Sequence, residues 1–535
     1  MLDTTDITPD EPPIPNSLRE DGGVVKAAAI LAAGNVVSRI LGLARETVKA
    51  SLFGASGLLA AYEIAAYIPI SLFDLIIGGM VNSSLVPVFS DYAPKERREE
   101  LWSVLSMVLS AATVLLLVVV GIVEIFTPQI AWLIGARNFT DPALTAVSIH
   151  LMRLAAPAVL FMSIASILTG ALYALKRFAI PAFIGAVLNG AIVIAALLRP
   201  DHIESLVWGL LAGSFLQIVL QLPAMRDARL RWQFNLRHPA IRRILKLYAP
   251  IVAGLVITQL SVALSYNLAT RTGDDSVAFM RFATTLYQFP LGLVVTALSV
   301  AILPTLSRQA ENSLDDFKHT LSDGLRLVIT LILPATAGLF ALALPIVALL
   351  FERGEFSAAD TLITAQVLRF YLLGLPFAAI DQMLVFASYA RKDTLRPALV
   401  GVVAIVVYLA TAVLLIGPLG LYSLMVADAV KHIVHTLIMS WLLNRSLNGL
   451  RGYGIATSAV KSFGAALVTG LAALGVMALL LPIFPLDSLL NRVIVVLLGG
   501  LAGVAGYTVM VFVLDIKIAK SLPGLLRRRK KANIA

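Results

Sequence analysis

The sequence predicts an all-α polytopic membrane protein with about 14 transmembrane helices, twelve of them forming two parallel six-helix lobes. Three observations lead there. The 535 residues are 59% hydrophobic and 14% charged, with a mean hydropathy of +0.89; a water-soluble fold of that size cannot hide so much apolar surface. The apolar residues fall in continuous runs of about 20 or more, the length a helix needs to cross about 30 Å of hydrocarbon, and not in short alternating segments. Finally, short phrases recur at a constant spacing.

Taken in order, residues 1–23 are polar and acidic, with Asp3, Asp6, Asp10, Glu11, Glu20 and Asp21 against Arg19. They read as a disordered cytoplasmic tail, since a signal peptide opens on positive charge and a cleavable apolar core. The expected spans are 27–52, 58–89, 101–127, 143–175, 181–198, 205–224, 246–270, 277–304, 320–343, 361–390, 397–416, 420–443, 457–481 and 491–514. Even-numbered loops are basic. Lys95, Arg97 and Arg98 follow span 2, Lys176 and Arg177 follow span 4, six arginines between Arg226 and Arg243 follow span 6, and Arg391, Lys392 and Arg396 follow span 10. The tail adds Arg527 through Lys531, while odd-numbered loops mostly carry one basic residue or none. By the positive-inside rule, the even-numbered loops and both termini are cytoplasmic.

The repeat sets the domain plan. Leu85-Val86-Pro87-Val88-Phe89-Ser90 returns as Ile302-Leu303-Pro304-Thr305-Leu306-Ser307, Phe139-Thr140 as Phe356-Ser357, and Tyr173-Ala174-Leu175 as Tyr389-Ala390-Arg391, at offsets of 217, 217 and 216. The offset contains six spans, an even number, so the lobes are parallel and related by an axis along the membrane normal. Residues 24–225 form the first lobe and 246–445 the second, with 226–245 as a basic linker. Spans 13 and 14 (446–516) lie outside the repeat, and 517–535 form a basic cytoplasmic tail.

Several function classes drop out. The net charge of +10 sits in loops and tail, a topology signal and not a nucleic-acid surface, and there is no cysteine for disulfide or thiol chemistry. No Walker A loop, clustered cytoplasmic aspartates or His/Asp phosphatase constellation is present, so neither an enzyme nor a cofactor or metal is expected.

Polar residues inside the spans carry the function. Arg39 and Arg45 lie in span 1 with Asn35, Ser38 and Gly42. An arginine at bilayer depth costs roughly 2.5–3.5 kcal/mol unless it faces a bundle interior or a wet cavity. Its guanidinium fork suits a phosphate-bearing head group, although Arg45 alternatively snorkels to the outer interface. Span 2 carries Glu63, Tyr67, Ser71, Asp74, Gly78 and Asn82 three or four apart, one face of a helix that lines a cavity or uses Asp74 to pair with an arginine. Pro69 bends it between Glu63 and Asp74. Asp381 lies inside span 10; in span 12, Asp428 stands at pairing distance from Lys431 and His432, with His435 beyond. A structural ion pair is the expectation there, beside a proton-relay or metal reading. Gly42, Gly78, Gly79 and Gly292 allow close helix approach.

The phrase Ser38-Arg39-Ile40-Leu41-Gly42-Leu43-Ala44-Arg45-Glu46, followed by Phe53-Gly54-Ala55, resembles the opening signature of the MurJ/MviN lipid II flippases, within the multidrug/oligosaccharidyl-lipid/polysaccharide exporter superfamily. Similar phrases follow in the family's order. They are Leu85-Val86-Pro87, Arg177 to Phe183 with Leu188-Asn189, Gln217 to Pro223, Phe289-Pro290-Leu291-Gly292, Ile302 to Ser307, Leu350 to Phe356, and Lys392-Asp393-Thr394 with Pro397. The resemblance implies two lobes in a V around a central cavity, two extra helices forming a lipid-tail groove, and a multi-pass protein of the bacterial inner membrane. It also implies translocation of undecaprenyl-pyrophosphoryl disaccharide-pentapeptide to the outer leaflet for peptidoglycan synthesis, with cell-wall synthesis or division proteins as partners. Arg39 and Arg45 match family cavity arginines. The chain departs from its relatives at Phe73 and Asp74, where many have basic residues, and at Ala60, where they have an acid that Glu63 can replace. In span 8, Thr284-Thr285 stand where relatives have Asp-Arg, and Gln288 where they have Glu. Arg281, one turn before Thr285, takes over the missing arginine's role in a stripe Arg281–Thr285–Gln288, or else sits at the interface; Pro290 follows as a gating position. Spans 7 and 11 hold no acid, so the sodium site attributed to some relatives is not carried over. A different polyprenyl-linked glycan, a drug, or a non-transporting scaffold remain alternative readings.

Overall fold

Residues 16–450 and 452–520 are described by a computed structural model of the chain. Among them the structure is all helix and turn, with no strand. Helix α1 runs Asn16–Phe53, α2 Gly57–Ser90, α3 Lys95–Ile134, α4 Pro142–Ala174, α5 Pro181–Leu198 and α6 Glu204–Met225. The second half follows as α7 Pro239–Ala269, α8 over 276–312, α9 Leu314–Ala341 and then α10, a bent pair Ala358–Leu372 and Leu375–Ala390. Next come α11 Leu395–Leu419, α12 Tyr422–Ser446, α13 Ile455–Leu480 and α14 Leu489–Val513. Each expected span overlaps one of these rods. Ten of the helices are long and apolar enough to cross a membrane unaided, and 12 if each bent pair is counted as one span. Large apolar side chains such as Leu133, Leu198, Leu414 and Val460 are exposed on outward faces, as lipid solvation requires.

The boundary at the amino end differs from expectation. Helix α1 begins at Asn16, so helix reaches into the segment 16–23 read as tail; a polar stretch joined to a long apolar helix adds hydrogen bonds to an existing nucleus and needs none of its own. Residues 1–15, and the basic run Arg527–Lys531, lie outside the described residues. The linker is not free. Backbone N–H groups of Arg231 and Gln233 donate to Ser106 and Ser110 on α3 (3.0 and 3.1 Å), and Ser103 donates to Gln233 (2.8 Å). Asp227 accepts from Arg177 at 2.7 and 3.1 Å and lies 3.6 Å from Arg98.

The internal repeat extends to the irregularities of the helices. A π-helical segment at Asp74–Gly78 in α2 returns at Leu291–Thr296 in α8, 217 residues on (74 to 291). The break in α4 between Ala155 and Ala158 returns in α10 between Leu372 and Leu375, both again 217 apart. The kink at Phe126 in α3 matches the break at Leu342, after which a short helix, Ala343–Phe351, completes the rod of α9. Lys176 and Lys392 both take positive φ, at 58° and 61°. Kinks arise where prolines and wide turns interrupt the ladder, and two halves bent at equivalent places share one backbone design.

The halves close on each other at the face of the odd-numbered loops. Glu355 N–H donates to Ser51 carbonyl at 2.9 Å. Gly54 and Gly354 flank this bond at φ 59° and 57°, and a Cβ on Gly354 would lie 2.1 Å from the Ser51 oxygen. Nearby, Asn138 donates to Asn267 carbonyl (3.0 Å), Asn267 to Leu133 carbonyl (2.8 Å), and the Thr140 N–H to Asp274 (2.8 Å). Further along, α7 leans on α2, with the Tyr67 hydroxyl donating to Gln259 carbonyl at 2.5 Å and Tyr248 to Leu75 carbonyl at 2.8 Å. Helix α13 meets α9 through Arg326–Ser458 (3.0 Å), and α14 through Tyr507 on Thr330 carbonyl (2.7 Å).

Candidate functional site

Below this closure lies a cavity of about 460 Å³ between α1, α8 and α9 with its following short helix. Arg39, Gly42, Arg45 and Glu46 line it from α1, and Arg281, Thr285, Gln288 and Pro290 from α8. Helical phase explains the choice: 39, 42, 45–46 on one rod and 281, 285, 288 on the other are steps of three or four residues. Apolar Leu339, Ile346 and Leu350 form the facing wall.

The roof is a network of charges. Arg45 Nη2 meets Glu46 Oε1 at 2.6 Å, and Lys49 Nζ meets Glu46 Oε2 at 2.6 Å. Lys49 also pairs with Glu63 of α2. From the other half, Arg281 Nε lies 3.4 Å from Glu63 Oε2 and its Nη2 3.9 Å from Glu46 Oε1. Glu46 and Lys49 are 1% and 2% exposed, Glu63 6%. Three cations thus face two carboxylates, and Arg39 below adds a further positive charge. Buried charges are tolerated only when paired, and removing one member of such a pair costs about 3–5 kcal/mol. The network therefore does two things. It ties the halves together through Arg281, and it leaves positive charge in surplus where the cavity ends.

Helix α5 steadies the arginines. Asn189 accepts from Arg45 Nη1 at 2.9 Å and donates to the Ser38 carbonyl at 3.2 Å. Arg39 is exposed and lies against the backbone of α8, where a Cβ on Gly292 would come 2.4 Å from its Nη1. Thr284 and Thr285 donate to the Arg281 carbonyl at 3.0 Å, turning their hydroxyls back on the helix.

The expected stripe on α2 turns toward the second half as far as Asp74, with Tyr67 and Asp74 both meeting Gln259 of α7. Glu63 enters the roof, but Asp74 is absent from the cavity wall and accepts a long bond (3.5 Å) from Gln259 of α7. Asn82 is exposed, as is Asn35 on α1. The π segments Asp74–Gly78 and Val81–Leu85 add residues to the turns and carry later side chains out of the phase of a continuous α-helix. Nor does Asp74 pair with an arginine. In α12 the expected pair forms: Asp428 binds Lys431, with His432 Nε2 at 3.7 Å. Three roof residues, Glu46, Lys49 and Asn189, were not singled out for this role from the sequence, although Glu46 and Lys49 stand one and four residues after Arg45. Among the described residues no group of three or more acidic or histidine side chains is arranged for a metal ion.

The family model described as lipid II flippase MurJ matches residues 49–495. The chain belongs to the MurJ lipid II flippase family. Among its relatives, a lipid II flippase MurJ of Burkholderia cenocepacia is 30% identical over 403 residues, covering 72% of this chain and 78% of the relative. A probable lipid II flippase MurJ of Bdellovibrio bacteriovorus is 29% identical over 463 residues, 83% of this chain and 87% of that one. In fold, the chain is similar to a lipid II flippase MurJ in an inward closed conformation, with a TM-score of 0.75 and 23% identity over 91% of this chain and all of that one. A multidrug resistance MATE transporter in an inward-facing conformation follows, at a TM-score of 0.63 and 14% identity, covering 77% of this chain and 95% of the other. MurJ membership thus rests on sequence over most of the length, with the fold in agreement.

Proposed function

We propose that this chain flips lipid II, the undecaprenyl-pyrophosphoryl disaccharide-pentapeptide precursor of peptidoglycan, from the inner to the outer leaflet of the bacterial cytoplasmic membrane by alternating access. The observation that carries the reading is the roof: surplus positive charge at the blind end of a cavity, built from groups that also hold the two halves shut. The positive-inside rule, applied to the basic even-numbered loops, supports a cytoplasmic position for the opposite face and both termini. The structure is then closed to the outside. A pyrophosphate entering from the cytoplasmic leaflet meets Arg39 first, then Arg45 and Arg281. Guanidinium forks bind phosphate oxygens in pairs. An anion that engages Arg45 and Arg281 competes with Glu46 and Glu63 for them, weakening the bridge between halves at the moment the cargo is seated. Thr285, Gln288 and Pro290 line the path, with Asn35, Ser38, Gly42 and Asn82 as supporting positions, and Asp74 acts on α7 through Gln259. The polyprenyl tail stays in lipid along α13 and α14. No bond in the cargo is broken, and the chain is not an enzyme. Cell-wall synthesis or division proteins use the delivered precursor.

Complementation of a strain depleted of its own lipid II flippase, together with lipid II head-group accessibility in vesicles, tests the reading. Rescue and protein-dependent head-group exposure are expected; exposure of another polyprenyl-linked glycan but not lipid II would redirect the cargo.

A further inference from the structure

The second half contains a polar cluster that takes no part in the roof. Asp381 on α10 accepts from His435 Nδ1 on α12 at 2.5 Å, across 54 residues of sequence. Asp428, Lys431 and His432 stand on the same helix as His435. The close approach of α10 and α12 is built in, since a Cβ on Gly374 would lie 2.8 Å from Ala429 Cα. All five side chains lie within membrane-spanning rods and are 12–24% exposed.

The charge count is the key. Two carboxylates, one ammonium and two neutral imidazoles carry a net charge of −1. One proton brings the cluster to neutrality. A net charge enclosed in a helix bundle is unfavourable, and imidazole is the side chain that ordinarily takes up a proton near neutral pH. Among the described residues the groups near the cluster from its own and neighbouring rods are phenols and supply no compensating charge: Tyr371 and Tyr389 on α10, Tyr408 on α11 and Tyr287 on α8. Tyr408 lies under Lys431 at 5.8 Å and donates to Ser265. The Tyr287 hydroxyl is buried and has no hydrogen-bond partner in this state. Tyr287 belongs to α8, the rod whose other face carries Arg281, Thr285 and Gln288, and the π segment Leu291–Thr296 begins four residues after it. The Tyr287 ring lies 5.8 Å from that of Tyr371 on α10, the rod that carries Asp381, so one helix joins the roof to the helix of this cluster, next to a wide turn at which it can deform.

We propose that the Asp381–His435 site binds one proton in each transport cycle, and that α8 couples its occupancy to opening of the roof. The proton comes from water and adds to the imidazole, with Asp381 remaining its carboxylate partner; no other bond changes. The inference rests on reading the chain as an alternating-access transporter. With the proton bound in the outside-closed state, acid favours that state and alkali favours the outside-open one.

The chain has no cysteine, so a spin-label pair is introduced directly as Ala143→Cys and Ala359→Cys, exposed positions at the outer starts of α4 and α10. Pulsed EPR distances are measured in lipid nanodiscs at about pH 5.5 and about pH 8.5. The open-to-closed ratio is expected to rise about tenfold at the alkaline end, the effect of a one-unit difference in proton affinity between states. Asp381→Asn and His435→Gln, each checked for an unchanged melting temperature, should flatten this response, while His150→Gln, on an exposed histidine of the outer face, should leave it intact. A response that survives in either folded cluster variant, or that is absent from the parent, overturns the proposal. Lipid II exposure in vesicles separates the two readings. Flipping without a pH response removes the proton site and keeps the cargo, whereas a pH response without flipping removes the cargo and keeps the site.

Discussion

Glu63→Gln isolates the electrostatic bridge between the halves. Glu63 is 6% exposed, pairs with Lys49, and lies 3.4 Å from Arg281 Nε. The amide keeps the shape and removes the charge, and its NH2 then faces a donor whichever way it turns. Removing one member of a buried pair costs about 3–5 kcal/mol. Lys49 retains Glu46 at 2.6 Å, and Arg281 retains a 3.9 Å contact with it, so the lower end applies, about 3 kcal/mol. Lys49 shares a half with Glu63, so only the part of this loss that involves Arg281, which is 31% exposed, falls on the closed arrangement, about 1.4 kcal/mol. At about 1.4 kcal/mol per factor of ten, the outside-open population rises roughly tenfold. Labelling of a single cysteine placed on the outer cavity wall reads that population. Arg281→Met with Glu63→Met removes both charges of the bridge between the halves and should recover most of the closed state, giving a coupling energy above about 1 kcal/mol in the double-mutant cycle. Unchanged labelling in Glu63→Gln, or additive single and double variants, would refute the account of the roof.

Three further outcomes are expected. Arg281→Ala should abolish complementation of a flippase-depleted strain, with Arg281→Lys restoring only part of it, because a point charge replaces a fork; full activity of Arg281→Ala would remove it from the cargo path. Gly354→Ala should weaken the outer closure by about 1–3 kcal/mol, since its φ of 57° is strained for alanine and the new Cβ meets the Ser51 oxygen, and the same labelling assay reads it. The hydrogen bond from Arg177, assisted by its charge and by Arg98, holds the Asp227 carboxyl below the usual carboxylate range. A lowered folded-state value means that its stabilisation is present above the ordinary carboxylate range and lost as pH falls through the folded value. Hydrogen exchange of residues 226–238 should therefore stay slow at neutral pH and accelerate below about pH 4, and Asp227→Asn should remove that transition.

The rods and the cavity-lining faces of α1 and α8 were legible because both depend on one helix at a time. Apolar run length sets the rod, and a step of three or four residues sets the face, so Arg39, Gly42, Arg45, Arg281, Thr285 and Gln288 reach one space. The partners were not. Arg281 finds Glu63, and Asp381 finds His435, through packing between helices distant in sequence, on which periodicity is silent. Asn189 acts through α5 for the same reason. Asn82 lies beyond the π segment Asp74–Gly78, where phase counted at 100° per residue no longer holds, and neither Pro69 nor the glycines near it announces where one begins.

The clasp at Ser51 and Glu355 has a kinetic consequence. It is a backbone hydrogen bond between two glycine-flanked loops. Water can replace such a bond at a net difference of about 1 kcal/mol. The clasp therefore fixes where the loops land on closing but contributes little to how long they stay. Dwell time in the closed state belongs to the charges beneath and to the neighbouring bonds of Asn138, Asn267 and Asp274, and an outer gate that is quick to re-form but slow to leave limits backflow while the cavity refills.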